Sequence, residues 1–337
     1  TYVESVSQKI LKNFESPFVV YGQELHTSPS IGVTFFPDNE DNEEDFLRQA
    51  DNAMYLAKKM GRNTVRFFDP SLQSAADKWL DIENALRNAI KEEQFELYYQ
   101  AQINTQSGCT SAEALIRWNR PDIGLVSPDD FIPICETTGL IIELGTWIIL
   151  EACQQLAKWQ NNGHDFFTRI AVNVSPKQFR HESFESVVTS AIETTAISPE
   201  SLELEITENL LLENINEVSD KMTRLREFGV RFSIDDYGTG YSSLAYIKRL
   251  PIHKIKIDQT FVRDLSTSAD DACIVESTIA MASKMNLEVI AEGVETKEQA
   301  AFLKAFGCND YQGYLYSKPL PAKAFIKQVT KLNAGFK

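Results

Sequence analysis

Five apolar segments in the second two-thirds of the sequence each carry a polar side chain at or near their C-terminal end. Asn173 sits in Arg169–Val174 and Glu205 in Leu202–Ile206. Asp235 and Asp236 directly follow Val230–Ile234. Lys256 lies in Lys254–Ile257, and Glu292 follows Glu288–Ala291. Glu113 stands in a further strand-like segment, Ala112–Trp118. One polar residue at a strand end needs no explanation, since loops are polar. Five in succession with an acidic bias point to a shared site. If these segments are neighbours, their carboxylates repel: a like-charge pair at about 4 Å costs about 4 kcal/mol at an effective dielectric of about 20. Either their pKa values rise or a cation neutralises them. The four His are isolated with no HExxH, and the five Cys contain no CxxC. The donors are therefore oxygens, which favours one or two Mg²⁺ or Mn²⁺ ions over zinc. Adjacent carboxylates such as Asp235-Asp236 suit a bridge between two ions, the arrangement that activates water against a phosphoester. Lys256 could position that water, and Arg117 offers a fork for phosphate. Taken singly, Arg117 reads equally well as a salt-bridging residue, and Lys256 as half of a core ion pair. An enolate-forming lyase would suit the same acids and lysine.

These residues need a scaffold that brings distant segments to one place. From Phe95 onward, strand-like and helix-like patterns alternate. The strands expected are Phe95–Gln102, Ala112–Trp118, Arg169–Val174, Leu202–Ile206, Val230–Ile234, Lys254–Ile257, Glu288–Ala291 and a short one near Asn309–Gln312. Helical patterns include Gly145–Trp159, Phe184–Thr195, Ile215–Phe228, Asp271–Met285 and Lys297–Phe306. This order predicts an α/β fold, a (β/α)₈ barrel with its site where the strands end. An open doubly wound sheet is the rival. Alternation places Glu113, Leu115 and Arg117 on one face, Lys254, Lys256 and Asp258 on another, and Gln100 with Gln102 on a third. Gly238-Thr239-Gly240 lacks GK[ST], so it reads as a loop rather than a phosphate cradle.

The rest of the sequence sets limits. Its 337 residues suggest about two domains, and a net charge of −15 with no basic patch argues against duplex nucleic acid as a partner. Residues 1–68 read as α-β-β-α-β with a thin core, the helix marked by Phe46, Ala50, Ala53, Met54 and Ala57 and stopped at Gly61. The acidic run 38–45 suits the loop before it. Residues 69–94 read as a linker helix, with Trp79, Ile82, Leu86 and Ile90 as its stripe, and residues 95–337 as the second domain. The most apolar stretch, Gly139–Leu150, contains Glu143 and is too short to span a bilayer. A cytoplasmic location is expected, with a membrane anchor upstream left open because the sequence opens on Thr1.

At the residues singled out above, the sequence resembles the EAL family of cyclic di-GMP phosphodiesterases. Glu113-Ala114-Leu115 stands in AEALIRW. In order follow NVS at Asn173, ELEITE at Glu203–Glu208, SIDDYGTGYSSL at Ser233–Leu244, KIKID at Lys254–Asp258, AEGVE at Ala291–Glu295 and YQGYLYSKPL at Tyr311–Leu320. The resemblance implies a TIM-like barrel whose first strand runs antiparallel. It implies hydrolysis of cyclic di-GMP, a bacterial second messenger, to linear pGpG. Glu113, Asn173, Glu205 and Asp235 would hold one metal ion, and Asp235, Asp236 and Glu292 a second. Lys256 would contact the attacking water, making Lys256, Glu113 and Glu292 the catalytic set. Gln100, Leu115 and Arg117 would contact the nucleotide, Gln312 would serve the hydrated metal, and Glu208 would brace the loop after Asp236. A homodimer through this domain and sensory domains upstream are implied partners, and a catalytically silent receptor is the alternative. Two positions depart from the common pattern, Ala101 for Pro and Tyr237 for Phe, and neither is a ligand. Residues 28–68 resemble the C-terminal half of a GGDEF, or diguanylate cyclase, domain. Without the signature hairpin they are not expected to make cyclic di-GMP.

Overall fold

The computed structural model describes residues 2–14, 18–20, 23–25, 27–35, 43–59, 63–164, 166–208, 210, 214–238, 247–265 and 267–335. The chain divides into two compact units, Thr1–Leu86 and Arg87–Lys337. In the first, helix α1 (Tyr2–Asn13) is followed by the short strands β1 (Phe18–Val20), β2 (Gln23–Leu25) and β3 (Ile31–Val33), helix α2 (Glu43–Lys59) and strand β4 (Val65–Phe67). β1 pairs antiparallel with β2, and β3 pairs parallel with β4. The expected stripe on α2 is the buried one, with Phe46, Ala53 and Ala57 inside. β3 lies so close to α2 that a Cβ on Gly32 would fall 2.1 Å from the Ala50 carbonyl oxygen. Gly61 and most of the 38–45 run lie outside the described residues. Helix α3 spans Pro70–Ala89, shorter than the 69–94 expected, because residues 90–93 form a turn in which Glu93 takes φ 54°.

The second unit is a closed barrel. Its strands are β5 (Phe95–Asn104), β6 (Gly108–Arg120), β8 (Arg169–Val174), β9 (Leu202–Thr207), β10 (Arg231–Tyr237), β11 (Lys254–Ile257), β12 (Glu288–Ala291) and β13 (Asp310–Tyr311), with β5 pairing to β6 to complete the ring. Around the ring β6, β8, β9, β10, β11, β12 and β13 run parallel to one another, while β5 is antiparallel to both of its neighbours, β6 and β13. A tight turn at residues 105–107 makes β5 and β6 a hairpin, and that hairpin reverses β5. Two short strands of this unit were not expected, β7 (Gly124–Val126), which pairs with β6, and β14 (Leu320–Pro321), which pairs with β5; the first unit likewise has three strands before α2 where two were expected.

The helices of this unit, besides the end of α3, are α4 (Pro128–Thr138), α5 (Ile141–Asn161), α6 (Pro176–Arg180), α7 (Phe184–Thr195), α8 (Ile215–Phe228), α9 (Gln259–Arg263), α10 (Ala269–Lys284), α11 (Lys297–Ala305) and α12 (Ala322–Ala334). The expected periodic helices coincide with α5, α7, α8, α10 and α11 to within a few residues at their ends. Between the strands and this layer, Tyr99, Trp159, Phe167 and Phe325 interlock, with the Tyr99 and Trp159 ring centres 4.8 Å apart. Each large apolar side chain buried this way contributes about 1.5–3 kcal/mol. Among the described residues no helix is long and apolar enough to cross a membrane.

Candidate metal and substrate site

Ring closure sets the polar residues side by side. Gln100 pairs with Glu113 across β5–β6, Asn173 with Glu205 across β8–β9, and Glu205 with Ser233 across β9–β10. One correction concerns β10. Asp235 and Asp236 were expected just beyond the strand, whereas the strand runs on through Tyr237 and holds both. Regular pleating would send adjacent side chains to opposite faces. Here the ladder slips between Ile234 and Tyr237 against β11, and Asp236 adopts φ 54°. The bulge turns both carboxylates toward the mouth, and aspartate tolerates the left-handed backbone better than most residues. The Asp236 amide donates to Asp235 Oδ1 at 3.0 Å.

Side-chain caps fix where the chain leaves the strands. Ser175, two residues after Asn173, caps α6 through the Gln178 amide. Asp258, two after Lys256, caps α9 through the Thr260 amide. Thr296 closes a capping box with Gln299 four residues after Glu292.

Lys256 is the centre of the site and is 1 % exposed. Its Nζ lies 2.5 Å from Glu205, 2.7 Å from Glu292, 3.0 Å from Asp235 and 3.8 Å from Glu113. Burial opposes the charge on Lys256, but Asp235, Glu113, Glu205 and Glu292 outweigh it and hold the ammonium protonated well above its usual range. One cation does not satisfy four acids. Burial and repulsion from Glu113 push Glu205 well above the carboxylate range. Burial, Asp235 and Glu113 push Glu292 up to about 8 against the pull of Lys256. Desolvation, Asp235 and Asp258 push Asp236 up to about 6.

The donor set fits a hard divalent cation. Oxygens of Asp235, Asp236 and Glu292 lie within 4.8 Å of one another, and Glu205 Oε1 is buried with no hydrogen-bond partner. Crowded oxygens and an orphaned carboxylate atom are what a Mg²⁺- or Mn²⁺-type ion would relieve. Asn173, exposed like Asp236, donates through Nδ2 to Glu113 Oε1 at 2.5 Å, which leaves its Oδ1 for another partner. Gln312 Nε2 donates to Glu113 Oε2 and to Gln100 Oε1, the latter at 3.0 Å, and Gln100 donates to the Ser317 carbonyl at 3.0 Å.

A cleft of about 450 Å³ opens beside these groups, lined by Leu115, Arg117, Asn173, Ser175 and Thr207 among others. The Arg117 guanidinium lies 5.4 Å from the Tyr98 ring centre and donates to the Ile116 carbonyl at 2.8 Å. Leu115 and Arg117 thus flank the carboxylates rather than join them. Glu208 is buried near Tyr237, whose hydroxyl pKa is raised by burial and by Glu208. Residues 239–246, the rest of the loop Glu208 was expected to brace, lie outside the described residues.

A second charged layer, to which sequence alternation assigns no role, lies deeper in the barrel. Lys254 Nζ lies 2.7 and 2.9 Å from the two oxygens of buried Glu203. Arg169 reaches Glu203 at 3.6 Å and Glu288 at 3.1 Å. Glu203 and Lys254 each sit two positions before a site residue on their own strands, so the alternation that flagged Glu205 and Lys256 flags them too.

Residues 83–319 match the EAL domain family, and residues 1–64 match the family described as diguanylate cyclase, GGDEF domain. The chain is 38% identical over 326 residues to the bifunctional diguanylate cyclase/cyclic di-GMP phosphodiesterase MucR of Pseudomonas aeruginosa, covering 96% of this chain and 47% of that protein. It is 36% identical over 323 residues to the cyclic di-GMP phosphodiesterase PdeR of Escherichia coli, covering 96% and 49%. The chain therefore spans about half the length of these curated relatives. Among solved structures, the P. aeruginosa MucR phosphodiesterase in complex with c-di-GMP superposes with a TM-score of 0.70 at 40% identity, covering 73% of this chain and 99% of that one. With the barrel, the convergent acids and these matches in agreement, this chain belongs to the EAL domain family, preceded by a GGDEF-type region.

Proposed function

We propose that this chain hydrolyses one phosphodiester bond of cyclic di-GMP to give linear pGpG, using two Mg²⁺ or Mn²⁺ ions. The observation that carries the reading is the cluster of acids around Lys256, beside a cleft of about 450 Å³ that shares Asn173 with it and falls within the usual range of ligand pockets. The relatives named as cyclic di-GMP phosphodiesterases, and the c-di-GMP complex of the MucR structure, supply the substrate class. Glu113, Asn173, Glu205 and Asp235 are assigned to one ion, and Asp235, Asp236 and Glu292 to the other. Such ions lower the pKa of water and neutralise charge on a phosphoryl group.

The chain's own groups do the rest. Lys256 holds the attacking water through the N–H that faces Asp235 here, while its other two N–H groups stay donated to Glu205 and Glu292. Its positive charge also offsets the negative charge carried by the phosphoryl oxygens. Glu113 and Glu292 act with Lys256 as the catalytic set. Gln312 keeps Glu113 oriented, Gln100 supports Gln312, Arg117 takes a phosphate of the substrate and Leu115 packs against the nucleotide. Glu208 braces the segment after Asp236. A homodimer formed through this unit belongs to the same proposal.

The test is incubation with cyclic di-GMP and Mn²⁺, followed by chromatographic separation of products. pGpG should appear, and omission of the cation should abolish it. Tight nucleotide binding with no product in either cation would instead favour a silent receptor.

A further inference from the structure

We propose that Gln102 is a positioning residue: held by Lys254 and Ser111, it fixes the amide polarity of Gln312 and so the hydrogen bond that Gln312 gives to Glu113. The inference rests on the reading of Glu113 as a metal ligand.

Gln102 stands on β5 and is 4 % exposed. Its Oε1 accepts from Ser111 Oγ at 3.1 Å and faces Lys254 Nζ at 3.4 Å. An ammonium has donors and no lone pair. The Gln102 atom facing Lys254 must therefore be the carbonyl oxygen, which aims Nε2 at Gln312 Oε1, 3.2 Å away. With its oxygen so occupied, Gln312 has Nε2 left for Glu113 and Gln100.

The same polarity follows from the opposite end. An ionised Glu113 accepts and does not donate, so Gln312 must show it an N–H. A cation at one end and a carboxylate at the other thus demand one orientation of two intervening amides. Reversing either amide sets two acceptors or two donors face to face, in a place where Gln102, Gln312, Glu113 and Lys254 are all buried. Asn173 serves the other Glu113 oxygen, so both oxygens are held by amides.

Charge balance does not explain Gln102. Glu203 already takes two hydrogen bonds from Lys254. What Gln102 adds is direction, transmitted from the deeper ion pair to a ligand of the proposed metal site.

The test uses the whole chain and Mn²⁺ alone, titrated calorimetrically, with melting temperature and steady-state kinetics measured alongside. Gln102→Glu keeps the shape and can still accept from Lys254 and Ser111, but as a carboxylate it has nothing to donate to Gln312. Mn²⁺ should bind about 10- to 100-fold more weakly. The metal-free melting temperature should hold or rise, since the introduced carboxylate gains a pair with Lys254, and kcat should fall while KM for cyclic di-GMP stays level. Gln102→Met should shift affinity the same way by a smaller factor, and it serves as the test if the first variant does not fold. Mn²⁺ affinity within about twofold of the parent in a folded Gln102→Glu chain overturns the proposal. A parent chain that takes up no Mn²⁺ overturns the metal reading and this one with it. Equal binding by parent and variant overturns this one alone.

Discussion

Lys256 stabilises a set of charges that could not otherwise share one cavity. Removing its charge while keeping its bulk, as in Lys256→Met, leaves buried carboxylates without a partner. Breaking such a pair costs about 3–5 kcal/mol. Denaturant unfolding should show that loss without divalent cation and a smaller one at saturating Mg²⁺. Hydrolysis of cyclic di-GMP should drop at least about 100-fold, the scale of losing one preorganised donor. Unchanged turnover would refute the role given to Lys256. The acids also predict a pH dependence. Glu292 has its pKa raised from an ordinary 4.5 to about 8, and Glu205 moves in the same direction. Between those values the folded chain binds more protons than the unfolded one, so stability falls as pH rises through that window. Melting curves of the cation-free chain should therefore shift downward from pH 5 to pH 8, and excess Mg²⁺ should flatten the trend. At this scale the sequence was informative because Glu113, Glu205, Asp235, Lys256 and Glu292 stand at regular places on legible strands. Alternation placed Gln102 and Lys254 on the faces of Gln100 and Lys256 without giving them a role and left Glu203 unmentioned as a site residue, because it tells which face a residue takes and not what it meets across the barrel. What separates them is a set of distances across the barrel.

Strand order and helix placement followed from alternating patterns, and the hairpin that reverses β5 was carried by family resemblance rather than by periodicity. The β10 bulge was invisible because period-2 reasoning assumes an unbroken pleat. It was also the detail most needed, since without it Asp235 and Asp236 would point to opposite faces. A second feature with no periodic signal is a backbone strap at the strand ends, where Val294, two residues after Glu292, is tied to the Gln312–Leu315 turn. There the Val294 amide donates to the Gln312 carbonyl and the Leu315 amide to the Val294 carbonyl, each at 3.0 Å. A Cβ on Gly313 would fall 2.1 Å from the Val294 carbonyl oxygen, a clash with backbone that a rotamer change cannot relieve. Gly313→Ala should lower the denaturation midpoint and weaken Mn²⁺ binding together, because the same strap carries Gln312 and begins two residues after Glu292. By contrast Thr296→Ala, which removes a capping box, should cost about 0.5–2 kcal/mol and leave Mn²⁺ affinity close to the parent value. A Gly313→Ala chain with full stability and affinity would show that the strap tolerates more than its packing suggests.

Across the whole molecule, composition placed the chain among acidic two-domain proteins, and motif order placed its family. The division falls at Leu86–Arg87, inside α3, where a continuous helical pattern gives composition nothing to mark. The first unit packs β3 and β4 on one helix and its sequence contains no GGDEF stretch. The central claim is that acids far apart in sequence gather to bind divalent cations. Anomalous scattering from crystals soaked in Mn²⁺ tests it most directly. The account predicts peaks bounded by Asp235, Asp236 and Glu292 and by Glu113, Asn173 and Glu205. A well-ordered barrel with no anomalous signal at those carboxylates would contradict it.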